Sequence, residues 1–135
     1  MARKGQIAPF AGSFAPQGWA YCDGENGNPS VPSLPCNAYE GEMPYIICTA
    51  DSEEPLMAEI RTFTGDFAPS GWLLCQGQEL EINNDTAFFS VLGTNYGGNG
   101  MTTFGVPKIA DAKSLVGNGV CHYIICKEGR YPSRP

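Results

Sequence analysis

The sequence predicts a mainly β protein with one short helix, assembled from two related small β-sheet units. Three observations carry this. Seventeen Gly and eleven Pro among 135 residues make up about a fifth of the chain, well above ordinary usage, and favour short strands joined by tight turns. One phrase is written twice, as "GSFAPQGWAYCDG" from Gly12 and as "GDFAPSGWLLCQG" from Gly65. Apolar residues alternate over short stretches, as strands require, and only one stretch has helical character.

The repeat extends beyond the phrase. Gly5–Glu25 set over Ala58–Gln78 gives ten identities in 21 positions, Ile7/Ile60, Phe10/Phe63, Trp19/Trp72 and Cys22/Cys75 among them. "VPSL" (Val31–Leu34) is echoed by "VPKI" (Val106–Ile109), and "YIIC" (Tyr45–Cys48) recurs as Tyr123–Cys126. The chain therefore reads as a duplication, with a unit in 1–57 and another in 58–135 that holds an insertion of 22 residues, the offset growing from 53 to 75.

Each element follows in order. "QIAPF" and "EIRTF" alternate, with Ile and Phe on one strand face. "APQG" and "APSG" place Pro second and Gly fourth, as a type I turn favours. Trp19 and Trp72 open the next strand, and "YIIC" closes each unit. Trp19, Trp72, Phe14 and Phe67 are expected as core anchors. In the insertion, "NNDTAFFSVLG" offers Asn84 or Asp85 as N-cap, a short apolar run and Gly93 as the stop, a helix of about two turns. "NYGGNG" reads as turn chemistry, since it lacks the Lys-Ser/Thr of a phosphate loop.

"FAPSGW", "LLCQGQ", "FSVLGTNYGGNG" and "TTFGVP", all within Ile60–Ala112, resemble the phage tail collar domain, and the closing "YIICKEGRYPSRP" resembles the tail of the family's microcystin-dependent relatives. The resemblance implies duplicated sheet units of tail-collar type: a shortened unit in 1–57, and in 58–135 a unit with the helix and Gly-rich loop. It implies a non-enzymatic, oligomeric component of a fibre or tail. The long variable insertion that relatives carry after the "VP" phrase is absent here, where "KIADAKSLVGNGVCHY" is short. That favours a pared-down structural subunit over a receptor-recognition module.

Composition excludes several functions. A net charge of −6 disfavours nucleic acid, whose phosphates need clustered Lys and Arg. No apolar run approaches a membrane span, and "MARKGQIAPF" has no apolar core of a signal peptide behind its basic start. His122 is the single histidine; its neighbour Cys121 points to the opposite strand face, and Cys126 does not complete a zinc knuckle. No catalytic, cofactor or metal set is expected. Of the aromatic loop residues, Tyr96 is the candidate glycan platform, so a surface glycan is the alternative partner.

Six cysteines, Cys22, Cys36, Cys48, Cys75, Cys121 and Cys126, are expected to oxidise outside a cell. Internal symmetry suggests Cys22–Cys48 and Cys75–Cys126, which leaves Cys36 and Cys121. The middle of the chain is acidic and both ends are basic. The expected partner is a second copy, engaged through tail residues Arg3, Lys4, Ile7, Phe10, Arg130 and Arg134. A filament is preferred over a trimer, in an extracellular fibre or virion tail.

Overall fold

The computed structural model describes residues 2–38, 41–50, 55–65, 67–113 and 120–133. Among them are eleven short strands in four antiparallel sheets and one α-helix. The mainly β class with one short helix is what the sequence predicts.

The two copies of the repeat build the same sheet. In the first, β1 (Ile7–Pro9), β2 (Trp19–Tyr21) and β5 (Tyr45–Cys48) pair in the order β1-β5-β2. In the second, β6 (Ile60–Phe63) and β7 (Trp72–Leu74) flank β11 (Val120–Cys126), to which β10 (Ala112–Lys113) also pairs. The registers coincide. Ile7 faces Ile47 as Ile60 faces Ile125, and Trp19 faces Cys48 as Trp72 faces Cys126. Two hairpin pairs complete the strands: β3 (Leu34–Pro35) with β4 (Glu42–Met43), and β8 (Glu79–Glu81) with β9 (Thr103–Gly105).

The turn before each Trp differs from the expected one. Trp19 N–H donates to Pro16 O, and Trp72 N–H to Pro69 O, both at 3.0 Å, so Pro is the first residue and Gly the third. Gly18 and Gly71 have φ of 86° and 84°, the left-handed backbone that a type II turn needs at its third position.

Helix α1 (Thr86–Leu92) lies where "NNDTAFFSVLG" places it, between Asp85 and Gly93. Asp85 makes no side-chain cap; its carboxylate instead lies 2.9 Å from Lys127 Nζ. The helix buries Phe88, Val91 and Leu92. Phe88 meets Phe104 edge-on, with ring centroids 5.9 Å apart.

The shared core takes opposite faces from the two sheets. The first repeat contributes Phe10, Trp19, Ile46 and Cys48. The second contributes Ile60, Cys75 and Ile125, with Leu73 and Tyr123 packed against them. Their first-repeat counterparts are Ile7, Cys22, Ile47, Ala20 and Tyr45. Strand alternation makes these complementary sets. The insertion, through Phe88, Val91, Tyr96 and Phe104, fills the space between the sheets.

Candidate assembly surface

The edges of β1 and β6 approach each other and then part. They touch at an antiparallel bridge, Phe10 to Glu59, where Ala11 N–H donates to Ala58 O at 3.1 Å. The next ladder bond from β1 would come from Pro9, which has no N–H, so pairing stops there. Beyond it the strands splay around a cleft of about 480 Å³, lined by Ile7, Pro9 and Tyr45 on one side and Ile60, Thr62 and Tyr123 on the other. Cys48 N–H donates to Gln6 O and Phe10 N–H to Pro44 O, so β1 spends alternate residues on β5 and turns the backbone of Ile7 and Pro9 toward the cleft. Glu59 lies at its base, 1% exposed, with Arg61 Nε on one carboxylate oxygen and Leu56 N–H on the other at 3.4 Å. Burial raises the Tyr45 phenol above its ordinary value, with the nearby Tyr123 adding to it.

Phe67 overturns one expected core anchor. It stands 77% exposed on the turn between β6 and β7. Its counterpart Phe14 is half-buried. In the first repeat Gln17 N–H donates to Ser133 O at 2.8 Å and Pro132 is buried, so the C-terminal segment crosses that turn. Trp19 is buried as expected, whereas Trp72 is half-buried, outside the shared core, with the Arg61 guanidinium 5.5 Å from its ring centroid.

Parts of both tails are tied down within the chain. Ala2 is fully buried, and Gly5 N–H donates to Cys48 O at 2.8 Å. Phe10 is fully buried too, and so is withdrawn from any outer surface. Arg130 lies beside Leu56, exchanging backbone bonds with Pro55 and Met57. Arg3, Lys4 and Ile7 are exposed. Arg134 lies outside the described residues, as do Glu40, Asp51, Glu53 and Glu54 of the acidic stretch.

The expected disulfides are not formed; all six thiols are free. Register is the reason. Cys22 N–H donates to Tyr45 O and Cys75 N–H to Tyr123 O, so each Cys lies three residues along from its supposed partner, Cys48 or Cys126. Three residues of strand span about 10 Å, beyond the roughly 7 Å a disulfide tolerates. An odd separation also puts the two side chains on opposite sheet faces. Burial pushes the Cys75 thiol up to about 12, with Cys36 adding to it, and the Cys126 thiol up to about 11, with Glu59 adding to it. Neither forms a thiolate near neutrality. Cys36 and Cys121, each part-buried, are likewise unpaired.

Tyr96 is no glycan platform. It is 4% exposed and its hydroxyl donates to Ala11 O at 3.1 Å. Asn37 extends this tie: its Nδ2 donates to Tyr96 O, and its Oδ1 accepts from Lys108 N–H. His122 Nδ1 pairs with Asp111 Oδ1 at 3.0 Å, apart from any cleft described here.

The sequence reading missed Tyr45, Thr62, Tyr123 and the Glu59–Arg61 pair as a site. One signal was present: Pro9 stands where the second repeat has Thr62, a mark of a blunted strand edge.

With the geometry in place, comparison decides the family. The phage tail collar domain matches residues 5–34 and 58–112, one segment on each copy of the repeat. The chain belongs to the phage tail collar domain family. Membership indicates a structural protein of the phage tail or fibre type. No curated protein and no solved structure matches the chain. Among the described residues, no helix of this collar protein is long and apolar enough to cross a membrane.

Proposed function

We propose that this collar protein is a non-enzymatic structural subunit that self-associates through its own surface, in an extracellular filament or a virion tail. It is read as a tandem of two collar-type units, 1–57 and 58–135, of which the second carries the helix and Gly-rich loop. The observation that carries the reading is the pair of matching sheets whose inner edges, β1 and β6, stop pairing at Pro9 and leave a cleft of mixed polarity open. Exposed edges and clefts of this kind are where further chains add. Unlike faces that meet give a closed ring or an open filament, and a filament is preferred over a closed trimer because the first unit of one copy can repeat the packing that the second unit makes within the chain.

Sedimentation velocity over a hundredfold concentration range tests the proposal. Weight-average sedimentation is expected to climb with concentration. A single monomer boundary throughout would reject self-association.

A further inference from the structure

We propose that Asn84 is an acceptor for N-linked glycosylation, taking an oligosaccharide from a lipid-pyrophosphate donor. The inference goes beyond self-association and does not depend on it. Asn84-Asp85-Thr86 has the form Asn-x-Thr with x other than Pro, the triplet whose Asn amide accepts the sugar. Of the eight Asn in the chain, one other heads a triplet ending in Ser or Thr, Asn28-Pro29-Ser30, and its middle Pro excludes it. Asn84 is therefore the one acceptor that the sequence allows.

The fold leaves this triplet without a structural duty. Asn and Asp at the head of a helix ordinarily cap it, a side-chain oxygen accepting from a free backbone N–H. Here Asp85 stands at the N-cap of α1 with no side-chain cap, its carboxylate paired instead with Lys127 Nζ. The Asn84 side chain turns sideways, its Nδ2 donating to the exposed Glu81 Oε2 at 3.1 Å. Among the described residues no hydrogen bond engages the Thr86 hydroxyl. Asn84 and Thr86 are both exposed.

The triplet also lies where an oligosaccharide has room. Ile82–Asn84 form one 3-10 turn that ends at Asp85, whose φ of −141° and ψ of 49° break the backbone before α1. Asn84 and Thr86 help line a cleft of about 320 Å³ together with Asp85, Lys127 and Glu128, whose charged groups can hydrogen-bond sugar hydroxyls. Neither Asn84 nor Thr86 lines the β1–β6 cleft, so a glycan on Asn84 is attached outside it. In the transfer, Asn84 Nδ2 bonds to the anomeric carbon of the donor sugar, and the bond from that carbon to the pyrophosphate oxygen breaks. The lipid pyrophosphate leaves with the electron pair, and one amide proton is released.

Coexpression of the full chain with an oligosaccharyltransferase and its lipid-linked donor, followed by intact mass and glycopeptide mapping, tests this. One glycan per chain is expected, on Asn84. Asn84→Gln and Thr86→Ala are expected to lose it, Thr86→Ser to keep it, and Asn28 to stay bare in every chain. An Asn84 left unmodified while a control glycoprotein is modified in the same cells would overturn the proposal, as would a glycan that survives Thr86→Ala. The same variants made without the transferase check that the triplet is free of a structural role. Asn84→Gln and Thr86→Ala are expected to unfold thermally with the unaltered chain. A clear loss of stability in either would overturn the argument, since the fold itself would then account for these residues.

Discussion

Trp19 and Trp72 occupy the same place in two copies of one phrase, each directly across from a cysteine of the closing strand, yet Trp19 is 5% exposed in the shared core and Trp72 is half-buried outside it. Identical local structure meets different surroundings, because the two sheets turn opposite faces to the core. Truncating the buried ring leaves a cavity; truncating the half-exposed one removes less packing. Trp19→Ala is expected to cost roughly 3–5 kcal/mol. Trp72→Ala is expected to cost less than half of that, and urea unfolding at low protein concentration checks the order.

The Gly-rich loop supplies a second prediction. Gly98 has φ +85°, and a Cβ there would lie 2.3 Å from Phe104 Cα, with no flexible side chain to yield. Gly98→Ala is therefore expected to destabilise by roughly 2–5 kcal/mol, from left-handed strain and overpacking together. Gly27 has φ +79° with open space around it, so Gly27→Ala should cost only about 1–2 kcal/mol. Equal losses in thermal unfolding would show that the loop does not press on β9.

The cysteine assignment is checked by peptide mapping without reductant after alkylation in denaturant. Neither Cys22–Cys48 nor Cys75–Cys126 should appear, and all six thiols should carry label. Finding either bridge would contradict the registers of both sheets.

Alkaline pH should weaken the fold in a defined window. The Cys75 thiol has an ordinary value of 9.0 and is held at about 12 by burial, so the folded chain keeps a proton that the unfolded chain releases. Its contribution is complete below pH 9 and is lost as pH rises toward 12. Cys126, raised to about 11, acts in the same direction. Cys75→Ala should flatten the fall in unfolding free energy above pH 9 relative to the unaltered chain. Parallel curves would remove Cys75 as a cause.

Much of the architecture is legible in the residues, because the signals are local. Alternation in "QIAPF" and "EIRTF" and the β-rich run "YIIC" mark strands, and Asp85 to Gly93 brackets the helix, since these patterns depend on neighbours a few residues away. What is not legible depends on the partner across space. Phe14 and Phe67 open the same "FAP-x-GW" phrase, yet the C-terminal segment meets the first of these turns, through Gln17 N–H on Ser133 O, and Phe67 stands exposed. The Cys22–Cys48 pairing follows from symmetry, yet symmetry is silent on the three-residue offset that forbids it. Tyr96 reads as a loop aromatic, and its burial comes from Ala11, 85 residues away. The cleft escapes for the same reason: its walls are two strands from different copies of the repeat.

Electron microscopy of the purified unaltered chain, at concentrations well above the onset of association, tests the central claim most directly. Open linear series of one-chain repeats are the predicted result, shortening to single particles on dilution. A field of monomers, or closed rings of fixed copy number with no longer species, would contradict it.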